Sequence, residues 1–121
     1  MIQKKTLVFG ASLNPDRYSN IVLGRLSSKK IEVRAFGLKE GRVSGIDIDT
    51  ELKAYQDLHT VTLYVNPKRQ EAYYDYIIGL NPTRVIFNPG TENPVLYGLL
   101  NKASIAYEVA CTLVLLSTDQ Y

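Results

Sequence analysis

Little in this chain invites covalent or metal chemistry. Of its 121 residues, one is cysteine, one is histidine and none is tryptophan. A lone thiol excludes an internal disulfide and suits a reducing compartment. His59 has no second histidine or cysteine near it in sequence, so the usual spacing of a zinc site is missing and a structural or surface role is expected for it. No stretch approaches the ~20 consecutive apolar residues of a membrane span. Lys4-Lys5 precedes an apolar segment too short for the core of a secretory signal. Basic and acidic residues nearly balance, for a net charge of +2 with no dense Lys/Arg run, which gives little support to a nucleic-acid partner. The expectation is a cytoplasmic protein with neither a membrane nor a nucleic acid as partner.

What is present is the composition of an ordinary globular protein, 45% hydrophobic and 21% charged. The length fits one domain over residues 1–121, large enough to bury a sizeable core. No internal repeat or low-complexity segment interrupts it.

Apolar runs rich in β-branched or aromatic residues alternate with helical stretches. Strands are predicted at Thr6–Phe9, Ile31–Phe36, Val61–Val65, Arg84–Asn88 and Ile105–Glu108. The middle three read as nearly continuous apolar runs, as strands covered on both faces do. Helices are predicted at Ser19–Ser28, Glu51–Asp57, Lys68–Leu80, Pro94–Lys102 and Cys111–Thr118, with Pro67 and Pro94 placed in first turns. Strand alternating with helix argues for a Rossmann-like three-layer α/β/α domain with a mostly parallel five-stranded sheet. The expected strand order is 3-2-1-4-5, with ligand outside the carboxyl ends of the strands. Phe36–Gly45, bearing Gly37, Gly41 and Gly45, is expected to be the main flexible loop.

The most informative segment joins the first strand to the first helix. It reads Gly10-Ala11-Ser12-Leu13-Asn14-Pro15-Asp16-Arg17-Tyr18-Ser19. A strand that turns on glycine into a helix directs backbone N–H groups and the positive end of the helix dipole at one point, which suits an anion. Ser12, Asn14, Arg17 and Ser19 add side-chain donors there. The plainer alternative is a tight turn in which Asn14 or Ser19 caps the helix.

The G-x-G-x-x-G fingerprint of dinucleotide sites is absent, since Ser12 stands at its second glycine and Pro15 at its third. The second strand ends without the acidic residue that holds the ribose of NAD. Lys39 and Arg42 follow instead, which favours an additional phosphate on the ribose, as in NADP or coenzyme A. On a plainer view both are solvated loop charges.

The run Gly-Ala-Ser-x-Asn-Pro-x-Arg-x-Ser at 10–19 resembles the opening motif of the small single-domain CoA-binding proteins, relatives of the CoA-binding domain of succinyl-CoA synthetase. The resemblance continues through Lys39, Tyr64-Val65-Asn66-Pro67 and Asn88-Pro89-Gly90 to the helix beginning at Cys111. It implies coenzyme A or an acyl-CoA as ligand, with Gly10, Ala11, Ser12 and Ser19 at the pyrophosphate, Asn14 fixing the turn and Arg17 neutralising charge. Lys39 then matches a basic residue near the ribose phosphate. Val65 and Pro67 fall at the adenine wall, with Asn66 between them also at the cofactor, and Asn88, Pro89 and Gly90 lie along the pantetheine arm. Cys111 is either a small apolar residue at a helix start or a thiol beside the coenzyme sulfur. Two departures stand out: Phe36-Gly37-Leu38 where relatives often have Val-Asn-Pro, and Val109-Ala110-Cys111 without flanking acidic and basic partners.

Catalysis by a nucleophile needs a base within reach, and the sequence offers no such pair. The reading is a non-catalytic carrier, sensor or thiol-protecting module whose partner is a small-molecule CoA ligand, with self-association or a partner enzyme left open. The alternative is a small NADP-dependent oxidoreductase or NADP-binding regulatory protein.

Overall fold

The computed structural model describes residues 4–121. Strand β1 (Thr6–Ala11) lies at the centre of the sheet, with Thr6 through Phe9 fully buried. It pairs in parallel with β2 (Val33–Gly37) on one side and β5 (Thr60–Leu63) on the other. Beyond β5 come β6 (Arg84–Phe87) and β7 (Ala106–Val109), both parallel. Beyond β2 lies β4 (Ile46–Asp49), parallel to it, and then β3 (Gly41–Val43), antiparallel to β4.

The Rossmann-like α/β class is therefore as expected, but two details are corrected. The sheet has seven strands, in the order β3-β4-β2-β1-β5-β6-β7. The extra pair is a hairpin inside the segment expected to be a flexible loop. Its turn residues Ser44 and Gly45 have φ of 51° and 79°, the two left-handed positions that a two-residue type I′ turn requires. The hairpin fills the edge beside β2, and the third expected strand sits next to β1 instead. The five expected strands consequently run 2-1-3-4-5.

Helices cover both faces because the central strands β1, β5 and β6 are buried on both. On one face, α1 (Tyr18–Ser28) and α5 (Thr112–Ser117) bury Val22, Leu23, Leu26 and Leu116 against Val8, Val33, Ala35 and Ile48. On the other, Leu7, Phe9, Val61, Leu63, Val85 and Phe87 pack with Ile77 of α3 (Tyr74–Gly79) and with Leu96 and Leu100 of α4 (Pro94–Lys102). The helix expected over Lys68–Leu80 is broken into α2 (Pro67–Gln70), a 3-10 turn (Glu71–Tyr73) and α3. The break lets the Tyr73 ring meet Phe9 and Phe36 edge-on, at 5.0 and 5.9 Å between centroids.

No helix forms at Glu51–Asp57. There the Asp49 carboxylate accepts hydrogen bonds from Lys53 Nζ at 2.9 Å and the Tyr55 hydroxyl at 2.5 Å. Tyr76 donates to the Lys53 carbonyl. These side-chain bonds tie the segment down as irregular structure, the competition that disfavours helix wherever polar side chains capture nearby groups. Among the described residues, no helix is long and apolar enough to cross a membrane.

Candidate functional site

The carboxyl ends of β1, β2 and β5 come unusually close together, and two glycines make this possible. Gly10 has φ of +102°, and a Cβ there would stand 2.9 Å from Val65 Cγ2 and 3.0 Å from the Tyr64 carbonyl carbon. A Cβ on Gly37 would stand 2.3 Å from the Ala11 carbonyl oxygen. At Gly10 the β1–β2 register slips, from Phe9 opposite Phe36 to Ala11 opposite Gly37. A bulge of this kind turns the strand end outward and sends the chain into the polar turn.

That turn is held by its own side chains. Ser12 Oγ accepts from the Asn14 amide at 3.1 Å, and Asn14 Oδ1 accepts from the Asp16 amide at 2.9 Å. Asn20 Nδ2 reaches back to the Ser12 carbonyl at 2.9 Å. From the other side Leu13 packs on Gly41, where an added Cβ would meet it at 2.4 Å, so the β3–β4 hairpin buttresses the turn.

Helix α1 then begins without a protein cap. Its N-cap, Arg17, is extended and makes no side-chain capping bond, and the first turn carries no acidic residue. The partial positive charge of the first amides is left for something else to neutralise.

These features open onto a cleft of about 450 Å³, within the range of small-molecule sites. One wall is Gly10, Ala11, Ser12, Leu13 and Asn14, continued by Arg17, Tyr18 and Ser19 of α1. The end of β2 gives Phe36, Gly37, Leu38 and Lys39, and the chain after β5 gives Tyr64, Val65, Arg69 and Tyr73. Three cations line it and no carboxylate does. Among the described residues, Arg17, Lys39 and Arg69 take part in no ion pair. Burial pushes the Tyr64 hydroxyl well above its ordinary value, so it stays protonated and neutral.

Eight residues singled out in the sequence meet here: Gly10, Ala11, Ser12, Asn14, Arg17, Ser19, Lys39 and Val65. Arg42 does not; it lies on β3 and pairs with Asp47 across the hairpin at 3.6 Å. Asn66, Pro67, Asn88, Pro89, Gly90 and Cys111 are also absent from the lining. Asn66 caps α2, accepting from the Arg69 amide at 2.9 Å, with Pro67 in its first turn. Asn88 is buried and bonded on both sides of its amide, described below. Cys111 is half-buried at the N-cap of α5. His59 lies before β5, at the opposite end of the strand from the cleft, with Nδ1 2.8 Å from Thr60 Oγ1. Burial, then Arg84 and Lys4, lower its pKa.

Sequence reading missed Tyr64, Arg69 and Tyr73 as site residues. Arg69 had one signal, its place three residues after the cap Asn66 in the first turn beyond a strand tip. Tyr64 stood in the Tyr64-Val65-Asn66-Pro67 run of the resemblance without a role of its own, and Tyr73 had no signal that separated it from core residues.

Comparison with known proteins adds a family to this geometry. The family model for a CoA binding domain matches residues 4–117. A solved structure described as that of an uncharacterized protein is 42% identical, with 100% of each chain covered and a TM-score of 0.96. A conserved hypothetical protein from Pyrococcus furiosus is 26% identical, over 92% of this chain and 97% of that one, with a TM-score of 0.81. A protein from Thermus thermophilus, 17% identical over 98% of this chain and 91% of its own, shares the fold with a TM-score of 0.86. Comparison with curated proteins finds no match.

Proposed function

Because this chain belongs to the CoA-binding domain family, we propose that it binds coenzyme A or an acyl-CoA in the cleft at the ends of β1, β2 and β5. It does so as a non-catalytic carrier, sensor or thiol-protecting module. The observation that carries this reading is electrostatic: three cations without ion-pair partners and an uncapped helix start surround a cleft with no carboxylate. Such a site favours a multiply phosphorylated ligand, because charge-assisted hydrogen bonds to phosphate are the strong ones.

In this reading the Gly10–Ser12 backbone, Ser19 and the first amides of α1 hold the pyrophosphate, and Asn14 keeps the turn in shape. Arg17 neutralises phosphate charge, and Lys39 meets the ribose phosphate. Val65 offers the adenine an apolar wall.

Thermal unfolding with coenzyme A, acetyl-CoA, NADP and NAD tests the proposal. Coenzyme A at 100 times its Kd is expected to add about 2.7 kcal/mol of stability, with NAD giving none. Stabilisation by NADP and none by coenzyme A would replace this reading with an NADP-binding one.

A further inference from the structure

The cleft occupies only half of the sheet's carboxyl edge. All its lining comes from β1, α1, the end of β2 and the chain after β5, and none from the turns that follow β6 and β7. In that second half, the turn after β6 is bonded largely to the protein itself. Asn88 Nδ2 donates to Thr62 Oγ1 and to the Leu63 carbonyl at 2.7 and 2.8 Å, while its Oδ1 accepts from the Thr112 amide at 2.9 Å. The Thr91 hydroxyl donates to the Asn88 carbonyl at 2.7 Å. The Gly90 amide donates to the Glu92 carboxylate at 2.7 Å.

The two halves also differ in charge. Arg17, Lys39 and Arg69 stand around the cleft without an acid. The turn at residues 88–93 carries Glu92 and no cation. One half is thus equipped to hold phosphate, and the turn at 88–93 in the other is bonded to itself and carries a carboxylate but no cation.

Resting on the coenzyme reading above, we infer that the chain grips only the phosphorylated nucleotide end of its ligand, the 3′-phospho-ADP group, and leaves the thiol- or acyl-bearing arm ungripped. Arg69 is a specificity residue for that end. It supplies the third cation from a third element, so that a ligand with two separated phosphate groups engages more of the site than one with a single group. An arm crossing the turn after β6, whose side-chain donors are already bonded, exchanges water contacts for few new ones and gains little affinity. Free and acylated coenzyme are then held alike.

Isothermal titration of the full chain with coenzyme A, acetyl-CoA, 3′-phospho-ADP and pantetheine tests this. Coenzyme A and acetyl-CoA are expected to agree within about threefold, with 3′-phospho-ADP within about tenfold of both and pantetheine undetected. Arg69→Gln is expected to weaken coenzyme A and 3′-phospho-ADP by the same factor, about tenfold, leaving the acetyl-CoA to coenzyme A ratio unchanged. If 3′-phospho-ADP binds more than about tenfold weaker than coenzyme A, or the acyl group shifts affinity by more than about threefold, the inference fails while the coenzyme reading stands. If coenzyme A itself does not bind, both fail. Unaltered binding by Arg69→Gln removes the role given to Arg69.

Discussion

At the scale of single residues, the site depends on one side chain that brings charge and one position that must have no side chain. Arg17 is exposed and makes no ion pair among the described residues, so its role is not in the fold. Arg17→Ala is expected to weaken coenzyme binding by about 1.5–3 kcal/mol, the range for a hydrogen bond to a charged group, with the melting temperature of the free protein unchanged. Calorimetric titration beside a melt of the unliganded variant checks both parts. Gly10 is the opposite case. With φ of +102° and Val65 Cγ2 2.9 Å from where a Cβ would stand, Gly10→Ala is expected to cost about 1–3 kcal/mol of stability through backbone strain and crowding. Denaturant unfolding measures it, and a loss below the error of the method would show that the strand ends can part freely.

At the scale of elements, the pieces around the site are joined by a buried polar network. Gln70 at the end of α2 donates through Nε2 to the Val65 and Thr91 carbonyls at 2.7 and 2.8 Å. Its Oε1 accepts from Asn93, which caps α4. Asn88 links β5, β6 and the start of α5. Asn88→Ala leaves the buried Thr112 amide and Leu63 carbonyl short of a partner. A loss of about 1–3 kcal/mol in denaturant unfolding is expected, with coenzyme affinity nearly unchanged because Asn88 lies outside the cleft lining. A fall in affinity without a fall in stability would instead make Asn88 a ligand contact. The network also accounts for two sequence motifs: Asn66-Pro67 opens a helix and Asn88-Pro89-Gly90 ties two strands to the start of a helix. Their residue types were legible in the sequence, but their bonding partners were not.

At the scale of the whole molecule, pH reports on one group at the opposite end of the sheet from the cleft and one on the strand beside β2. His59 is shifted down by burial and by Arg84 and Lys4. The unfolded chain therefore binds a proton there more readily than the folded one, and stability falls as pH drops below the ordinary value of 6.5. For Asp49, burial alone would raise the pKa, but hydrogen bonds from Tyr55 and Lys53 bring it below the ordinary 3.8. Its contribution is present above that value and is lost in stronger acid. Melts across this range are expected to show a shallow upper step that His59→Gln removes and a lower step that it leaves in place. An upper step that survives the substitution would assign it to another group.

The sequence by itself determined the class of fold, the position of five strands within a residue or two and the polar glycine turn at 10–19. All of these are local: apolar periodicity, glycine and proline placement and helix-start donors act over a few neighbouring residues. The tertiary structure alone decided the seven-strand order, the β3–β4 hairpin beside β2, the broken helix after Pro67 and the arrival of Arg69, Tyr64 and Tyr73 at the cleft. Strand pairing joins residues far apart in sequence, and its outcome depends on which edge is already filled. A turn as short as Val43-Ser44-Gly45-Ile46 carries too little pattern to announce that it fills one. Whether a polar side chain lines the cleft or is consumed by a partner, as Lys39 and Asn88 show in turn, is settled only when the loops that follow separate strands come together.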